Sequence, residues 1–597
     1  MKFINTILTL LVFSPALFAH VGDHPSIHDT AAGITARLCE ELSVDDLQAL
    51  EVDDLNRFLT DEERRIFGTE HVSFSVNVPV RLYIFHQETL RERTPWLSER
   101  GFERTEWSAT VDDEKFDIWE KDFDAGWIGL GVNSYEGGGE HYFVIVEPRS
   151  DTPSLEIKDM YPGQLKVSQA GKDVEPYVDH DDLIGELPDA LSGKMLIRTR
   201  RDQRDDADIL NYYQFTSHVS KSDPDQIVLT WSDDPKTTQT IQWRTDAKVK
   251  KGYVKYIRKS DLNRFDPRSP MKVKAVSRIL ETPNIANDLI NFRHSVTLRK
   301  LDAGTTYAYA VGDGSRKGWT ELREFTTAPA GVEPFSFIYM GDAQNGLDRW
   351  GSLIHGAFRQ RPDAAFYIMA GDLVDRGNER DDWDSLFHNS SDIYDRRQLV
   401  PAIGNHENQN GHPTLYLELF ELFGNGPENI EPERAYSFEY SNALFVILDT
   451  TLDPADQAGW LEQQLKNSKA TWKFVVYHHP AYSSTPDRDN PEVRKHWLPL
   501  FDKYHVDMAL QGHDHAYLRT YPMKDGQQVE TAEDGTVYIV SVSGTKMYEQ
   551  TDQDYIEFGM TNVATYQVLD IQISGDRLLY RSYDIDGKLK DELEIVK

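Results

Sequence analysis

The sequence predicts a multidomain chain: a C-terminal α/β domain, preceded by a fibronectin-like β-sandwich and a further mainly β N-terminal domain. Three observations predict it. The chain has 597 residues, more than one hydrophobic core ordinarily serves, so two to four domains are expected. Its texture changes near residue 224 and again after a short Pro/Gly linker, APAGVEP, at 328–334. Beyond the linker, apolar strand-like runs alternate with amphipathic helical segments, the rhythm of an α/β layer.

Taken in order, residues 1–19 (MKFINTILTLLVFSPALFA) combine Lys2, the apolar stretch Ile7–Phe13 and the small residue Ala19. That is the composition of a secretory signal peptide, so a secreted or periplasmic location is expected. The stretch is too short to span a bilayer comfortably, and no later segment is long and apolar enough to do so. Residues 20–215 open with His20, His24 and His28, which read as a solvated terminus. Helical spacing follows over 29–67, with Ser43 and Asp53 as caps. The runs VSFSVNVPVRLYIF, WIGLGV, HYFVIVEP and KMLIRTR then read as short strands in a domain whose role the sequence leaves open. Cys39 is the only cysteine; it excludes an intramolecular disulfide and reads as a small packed hydrophobe.

Residues 224–329 contain QIVLTWS, QTIQWRT, YVKYIRK, HSVTLRKL, TTYAYAVG and ELREFTT, alternating strands spaced as in an antiparallel sandwich. Residues 334–597 carry FSFIYM, AAFYIMA, ALFVIL, KFVVY and VDMALQ between helical segments such as WLEQQLKNS and VRKHWLPLFDKY. Short strands near the C-terminus are expected to close one sheet. With 64 Lys and Arg against 99 Asp and Glu, the net charge is −35. Such a surface repels a phosphate backbone and excludes a non-specific nucleic-acid binder.

The chemistry collects at the predicted strand ends of the last domain. YMGDAQ puts Asp342 after the first strand, and MAGDLVDRG puts Asp372, Asp375 and Arg376 after the second. AIGNHEN supplies Asn405, His406 and Glu407, VVYHHP supplies His478 and His479, and LQGHDH supplies His513 and His515. Ligand sites of α/β sheets lie beyond the carboxyl ends of the strands, and a glycine before Asp342, Asp372, Asn405 and His513 allows a tight turn at each. Each cluster alone reads as an ordinary polar turn. Five in succession, each at a strand end, read as one site.

GDLVDRG, GNHE and GHDH resemble, in order, the motif blocks of the calcineurin-like metallophosphoesterases. With the fibronectin-like region in front, the resemblance narrows to purple acid phosphatases and their bacterial relatives, and covers roughly residues 224–597. It implies a two-sheet α/β sandwich and a dinuclear centre of two divalent or trivalent metal ions (Fe, Mn or Zn). By this resemblance Asp372 bridges the metals, Asp342 and His515 hold the first, and Asn405, His478 and His513 hold the second. A hydroxide held between metals about 3.5 Å apart would attack the phosphorus of a small-molecule phosphoester in line. His406 and Arg376 would be catalytic, touching the phosphate or the leaving group. Glu407 and Asp375 read as groups orienting the histidines and Arg376, His479 as a buried hydrogen-bonding residue, and Arg488 as a phosphate-binding candidate.

The sequence departs from the family pattern twice. Purple acid phosphatases have a tyrosine where Asp375 stands, so no purple charge-transfer band is expected. The wider family has a histidine where Gln344 stands, which puts a carbonyl oxygen or a water at the first metal. The leading expectation is an exported phosphomonoesterase. A phosphodiesterase acting on nucleotides or glycerophosphodiesters and a non-catalytic extracellular binding protein are the alternatives.

Overall fold

In the α/β region, runs such as FYIMA have no polar face to give to water, so they form strands covered on both sides. A computed structural model describes residues 26–597 apart from 151–153, 202, 204–206, 211, 263–269, 283, 486–487, 489 and 573–575. The signal-like stretch, His20 and His24 lie outside the described residues. The chain divides into two compact units, Met1–Gln214 and Phe215–Lys597.

In the first unit, four helices (Ile27–Glu41, Val44–Gln48, Val52–Phe58 and Asp61–Thr69) precede the strands. Ser43 caps the second helix as expected. Asp53 does not cap: it lies inside the first turn of the third helix, where Glu51 holds the cap position without a side-chain bond. Thr60 and Glu63 form a reciprocal capping box at the fourth. The unit's seven-stranded sheet has Val80–Gln87 paired antiparallel between Phe143–Pro148 and Glu114–Phe123. The hairpin strands Glu103–Val111 and Glu114–Phe123 were not legible beforehand, because charged residues on their exposed positions hide the alternation.

The first unit also buries a histidine pair. His141 Nδ1 donates to the Tyr142 carbonyl (2.7 Å) and its Nε2 faces His71 Nε2 at 2.9 Å. Burial holds both rings below the ordinary imidazole range, His141 at about 3. The fold therefore keeps neutral rings that the unfolded chain protonates below about pH 6.5. Stability from this source is present above that pH and is lost as pH falls, by about 2 kcal/mol for His141 between pH 7 and 5. A lower urea midpoint at pH 5 is the expected result, and equal midpoints would contradict it.

The second unit joins the two C-terminal regions more closely than a linker suggests. Val276–Glu281, Ile290–Leu298, Gln239–Asp246 and Asp225–Thr230 continue into Gln398–Ala402, Phe366–Ala370, Phe335–Met340, Thr565–Gln572, Arg577–Asp584 and Leu589–Val596 as one ten-stranded sheet. The seam is a parallel pairing of Leu229 with Gln398. Trp231 closes it, packing on Phe366 and Phe438 of the α/β core. Met271–Lys274, Tyr253–Arg258, Thr306–Gly312 and Arg323–Thr326 form a separate four-stranded sheet over the first four strands.

A second, seven-stranded sheet runs Tyr436–Tyr440, Ala443–Ile447, Trp472–Val476, Met508–Gln511, Val537–Val540, Tyr517–Thr520 and Ile556–Met560. Phe337 and Phe366 of the first sheet meet Phe445 and Phe474 of the second edge to face, with centroids 5.2–5.3 Å apart. The α/β region is thus built on two mixed sheets with a shared aromatic core. The C-terminal strands close the ten-stranded sheet, as expected, with Thr565–Gln572 antiparallel to Phe335–Met340. VRKHWLPLFDKY forms two short helices, Pro491–His496 and Leu498–Tyr504, because Pro499 interrupts the amide ladder. Among the described residues no helix is long and apolar enough to cross a membrane.

Candidate metal centre

The five loops do converge. Parallel pairing of Phe335–Met340, Phe366–Ala370 and Gln398–Ala402 brings Asp342, Asp372, Asn405 and His406 to one edge. Parallel pairing of Trp472–Val476 with Met508–Gln511 brings His478, His513 and His515 to the same place. Asp342, Asp372, His513 and His515 all have left-handed backbone, φ 52°, 50°, 74° and 47°. Non-glycine residues hold that conformation only where the surroundings over-determine it, and it clusters at functional sites.

This corrects the expected role of the glycines. Of the four preceding the candidate residues, only Gly371 has positive φ. The others are needed for close approach: a Cβ on Gly404 would lie 2.1 Å from Asp372 Oδ1, and one on Gly512 would lie 2.3 Å from Asp342 Oδ2. The turns are made by the aspartates and histidines themselves.

Two groups of ligand atoms result. Asp342, Asp372 and His515, all buried, bring one ligand atom each within 4.8 Å of one another. His478, His479 and His513 form the second group. His478 Nδ1 faces the Ala370 carbonyl (2.9 Å), which leaves its Nε2 toward Asp372 Oδ2 (3.0 Å), Asn405 Oδ1 (3.2 Å) and His513 Nδ1 (3.2 Å). His515 is held in the same way, its Nδ1 facing the Lys546 carbonyl at 3.0 Å. Such outer contacts fix the tautomer that a metal-binding imidazole needs.

The chemistry of this donor set fits cations. Carboxylate, amide and imidazole groups of the two clusters point at one another. Burial pushes Asp342 well above the usual carboxylate range. Burial disfavours charge on His478 as well, yet the Asp372 carboxylate raises it to about 9, so a proton there does what a cation would do. Gln344, fully buried, has Nε2 3.3 Å from His515 Nε2, and its Oε1 has no hydrogen-bond partner among the described residues. An orphaned carbonyl beside Asp342 and His515 is a further oxygen donor for the first group. The residues present fit two metal ions, of hard oxygen and imidazole ligation that suits Fe, Mn or Zn.

Other candidates are placed differently from expectation. Asp375 does not pair with Arg376: the Arg376 fork lies on Asp382 (2.6 Å) and Asp381 (3.1 Å) in the first turn of helix Arg380–Asn389. Asp375 instead turns its carbonyl to His406 Nδ1, with its carboxylate 3.5 Å from that ring. His406 donates its backbone N–H to Asp372 Oδ1 (3.0 Å) and is partly exposed. Glu407, fully buried, accepts N–H bonds from Asp372, Leu373 and Gly404 (2.8 Å each) and Val374 (3.3 Å). It orders two ligand loops at once. Burial and the Asp372 charge push its carboxyl to about 7.

Arg488 donates to the His513 carbonyl (2.7 Å) and lies 3.3 Å from Asp514. Asp514, between the two histidines, is buried and binds Ser483 and the Ser484 amide rather than the ligand groups. His479 hydrogen-bonds Thr450 Oγ1 (2.8 Å), as expected of a buried polar residue, yet also stands in the second ligand group. Thr450, Lys546 and Tyr548, whose ring lies 4.8 Å from that of His515, were not singled out from sequence. Only the HHP tripeptide hinted at the double role of His479.

Comparison with known proteins agrees with this geometry. The calcineurin-like phosphoesterase profile matches residues 335–517, and the purple acid phosphatase N-terminal domain matches residues 224–327. A Mycobacterium tuberculosis protein of uncharacterised function is 27% identical over 284 residues, covering 40% of this chain and 53% of that one. A purple acid phosphatase of Glycine max is 27% identical over 273 residues, covering 42% and 57%. The chain thus spans little more than half the length of these curated relatives. A purple acid phosphatase from yellow lupin seeds shares the fold, with a TM-score of 0.55 at 18% identity over 63% of this chain and 75% of that one. The chain thus carries a calcineurin-like metallophosphoesterase domain at residues 335–517, which holds two clusters of metal-coordinating side chains, preceded at residues 224–327 by a region that matches the purple acid phosphatase N-terminal domain.

Proposed function

We propose that the protein is a metal-dependent phosphoesterase, exported by way of residues 1–19, that hydrolyses small phosphomonoesters. The observation that carries the reading is Asp372, whose carboxylate belongs to the first ligand group and lies 3.0 Å from His478 of the second. One buried carboxylate shared by two adjacent ligand sets is what a dinuclear phosphoryl-transfer centre requires. Two metals held there would polarise the phosphoryl oxygens and supply a nucleophile from water at neutral pH. The chain's own groups do the rest. Asp342 and Asp372 present the carboxylate oxygens that would hold the metals, and Glu407 locks the loops that present Asp372 and Asn405.

His406, partly exposed with Nε2 3.9 Å from Asp372 Oδ2, stands where it can donate a hydrogen bond to a phosphate or a proton to the leaving alkoxide. Arg376 is engaged with two aspartates and serves this reading only if substrate displaces them. We read residues 224–329 as a fibronectin-like sandwich that buttresses the catalytic sheet through the Leu229–Gln398 seam.

Rates on an aryl phosphate and a bis-aryl phosphate with metal-replete protein test the proposal. Preference for the monoester is expected, preference for the diester would make it a phosphodiesterase, and hydrolysis of neither would leave a binding protein. His406→Ala should lower kcat by about 10²–10⁴-fold, the usual worth of a proton donor, while metal content stays at the wild-type level. A His406→Ala protein that loses its metal would place His406 among the ligands instead. Recovery of a secreted chain beginning near residue 20 would support export, and an unprocessed chain retained in the cell would refute it.

A further inference from the structure

The parallel strands that deliver Asp342, Asp372 and Asn405 have their other ends at a second concavity. Residues 334–336 open the first of these strands, 363–365 precede the second, and 396–398 precede and open the third. Together with Asp570–Gln572, Leu579 and Arg581 they line a cleft of about 770 Å³. The strand Phe335–Met340 separates it from the metal centre by about 20 Å, at roughly 3.3 Å per residue. The cleft is therefore distinct from the centre described above.

Its charge is opposite to that of the chain. Arg361, Arg396, Arg397 and Arg581 line it against two carboxylates, Asp363 and Asp570, in a protein of net charge −35. Arg361 pairs with Asp570, and Arg581 reaches the same carboxylate at 3.6 Å while also bonding Glu592 (2.6 Å). Arg361 Nε is buried without a hydrogen-bond partner among the described residues. Among the described residues Arg397 donates to the carbonyls of Arg396 and Pro362, and its guanidinium lies 5.8 Å from the Phe358 ring centre. No carboxylate lies within ion-pair distance of Arg397 among the described residues. Burial holds this guanidinium below its ordinary range, because Asp363 and Glu324 lie too far off to offset the loss of water.

We propose that this cleft is a second anion-binding site, taking a tetrahedral phosphate-class anion on Arg397, Arg361 and Arg581. Guanidinium forks present paired donors in the geometry that phosphate oxygens accept, which a cluster of lysines would not. The anion would supply the close counter-charge that Arg397 lacks. It would sit at the opposite end of the strands whose far ends hold the metal ligands. The proposal does not depend on the catalytic reading.

Titration calorimetry of the metal-replete full chain with inorganic phosphate, repeated with sulfate, tests it. Wild type should show a phosphate-binding component that persists in His513→Ala, where the metal centre is damaged. Arg397→Met and Arg361→Gln should each weaken that component at least tenfold, and Arg581→Gln, a half-exposed position, guards against a folding defect in the other two. Unchanged affinity and stoichiometry in all three variants would overturn the proposal. So would heat that vanishes in 0.5 M sodium chloride equally in wild type and variants, which marks unspecific screening of surface charge.

Discussion

His513→Ala should lower kcat/KM by at least about 10³-fold and reduce bound metal, with both units still folded. His513 brings Nδ1 to 3.2 Å from His478 Nε2, and its backbone N–H binds both carboxylate oxygens of Asp342 at 2.8 Å. The alanine variant keeps the amide contact to Asp342 and removes only the imidazole ligand. Loss of one metal removes several kcal/mol of transition-state charge stabilisation, and about 4 kcal/mol corresponds to the stated factor. The left-handed φ of 74° is no easier for alanine than for histidine, so backbone relief does not mask the effect. Elemental analysis beside steady-state rates on an aryl phosphate checks it: wild-type turnover in this variant would remove His513 from the centre.

The second large effect is expected at Glu407, a residue that holds no ligand position. Glu407→Ala leaves the buried amides of Asp372, Leu373, Val374 and Gly404 without their acceptor. Each unsatisfied buried group costs about 1–3 kcal/mol, so even with relaxation or entering water the loss should reach at least about 3 kcal/mol. The cost falls on the loops carrying Asp372 and Asn405, so metal affinity should drop together with stability. Glu407→Gln keeps one carbonyl acceptor and should recover part of both. Unfolding midpoints with and without added metal would show this, and a Glu407→Ala protein as stable as wild type would mean that other acceptors take over these amides.

What the sequence determined by itself is the set of chemical groups and their order. Aspartate, aspartate, Asn-His-Glu, His-His and His-Asp-His at successive strand ends were legible because each strand is a short apolar run followed at once by a polar turn. The main strands around 224–329 were legible through their alternation. The hairpin strands Glu103–Val111 and Glu114–Phe123 were not, because their exposed positions carry charge.

Tertiary structure alone decided the rest. Sequence spacing cannot tell which carboxylate an arginine will meet, and Arg376 meets Asp381 and Asp382 across a turn rather than its neighbour Asp375. Nor can it show that Glu407 folds back on four amides, since those amides come from separate loops. The sharing of one sheet by the sandwich and the α/β region depends on a long-range pairing, Leu229 with Gln398. The arginine cleft likewise gathers guanidinium groups from three separate segments, at Arg361, at Arg396 and Arg397, and at Arg581. Local chemistry is written along the chain, but which groups become partners depends on how distant segments pack, and burial then decides their charge.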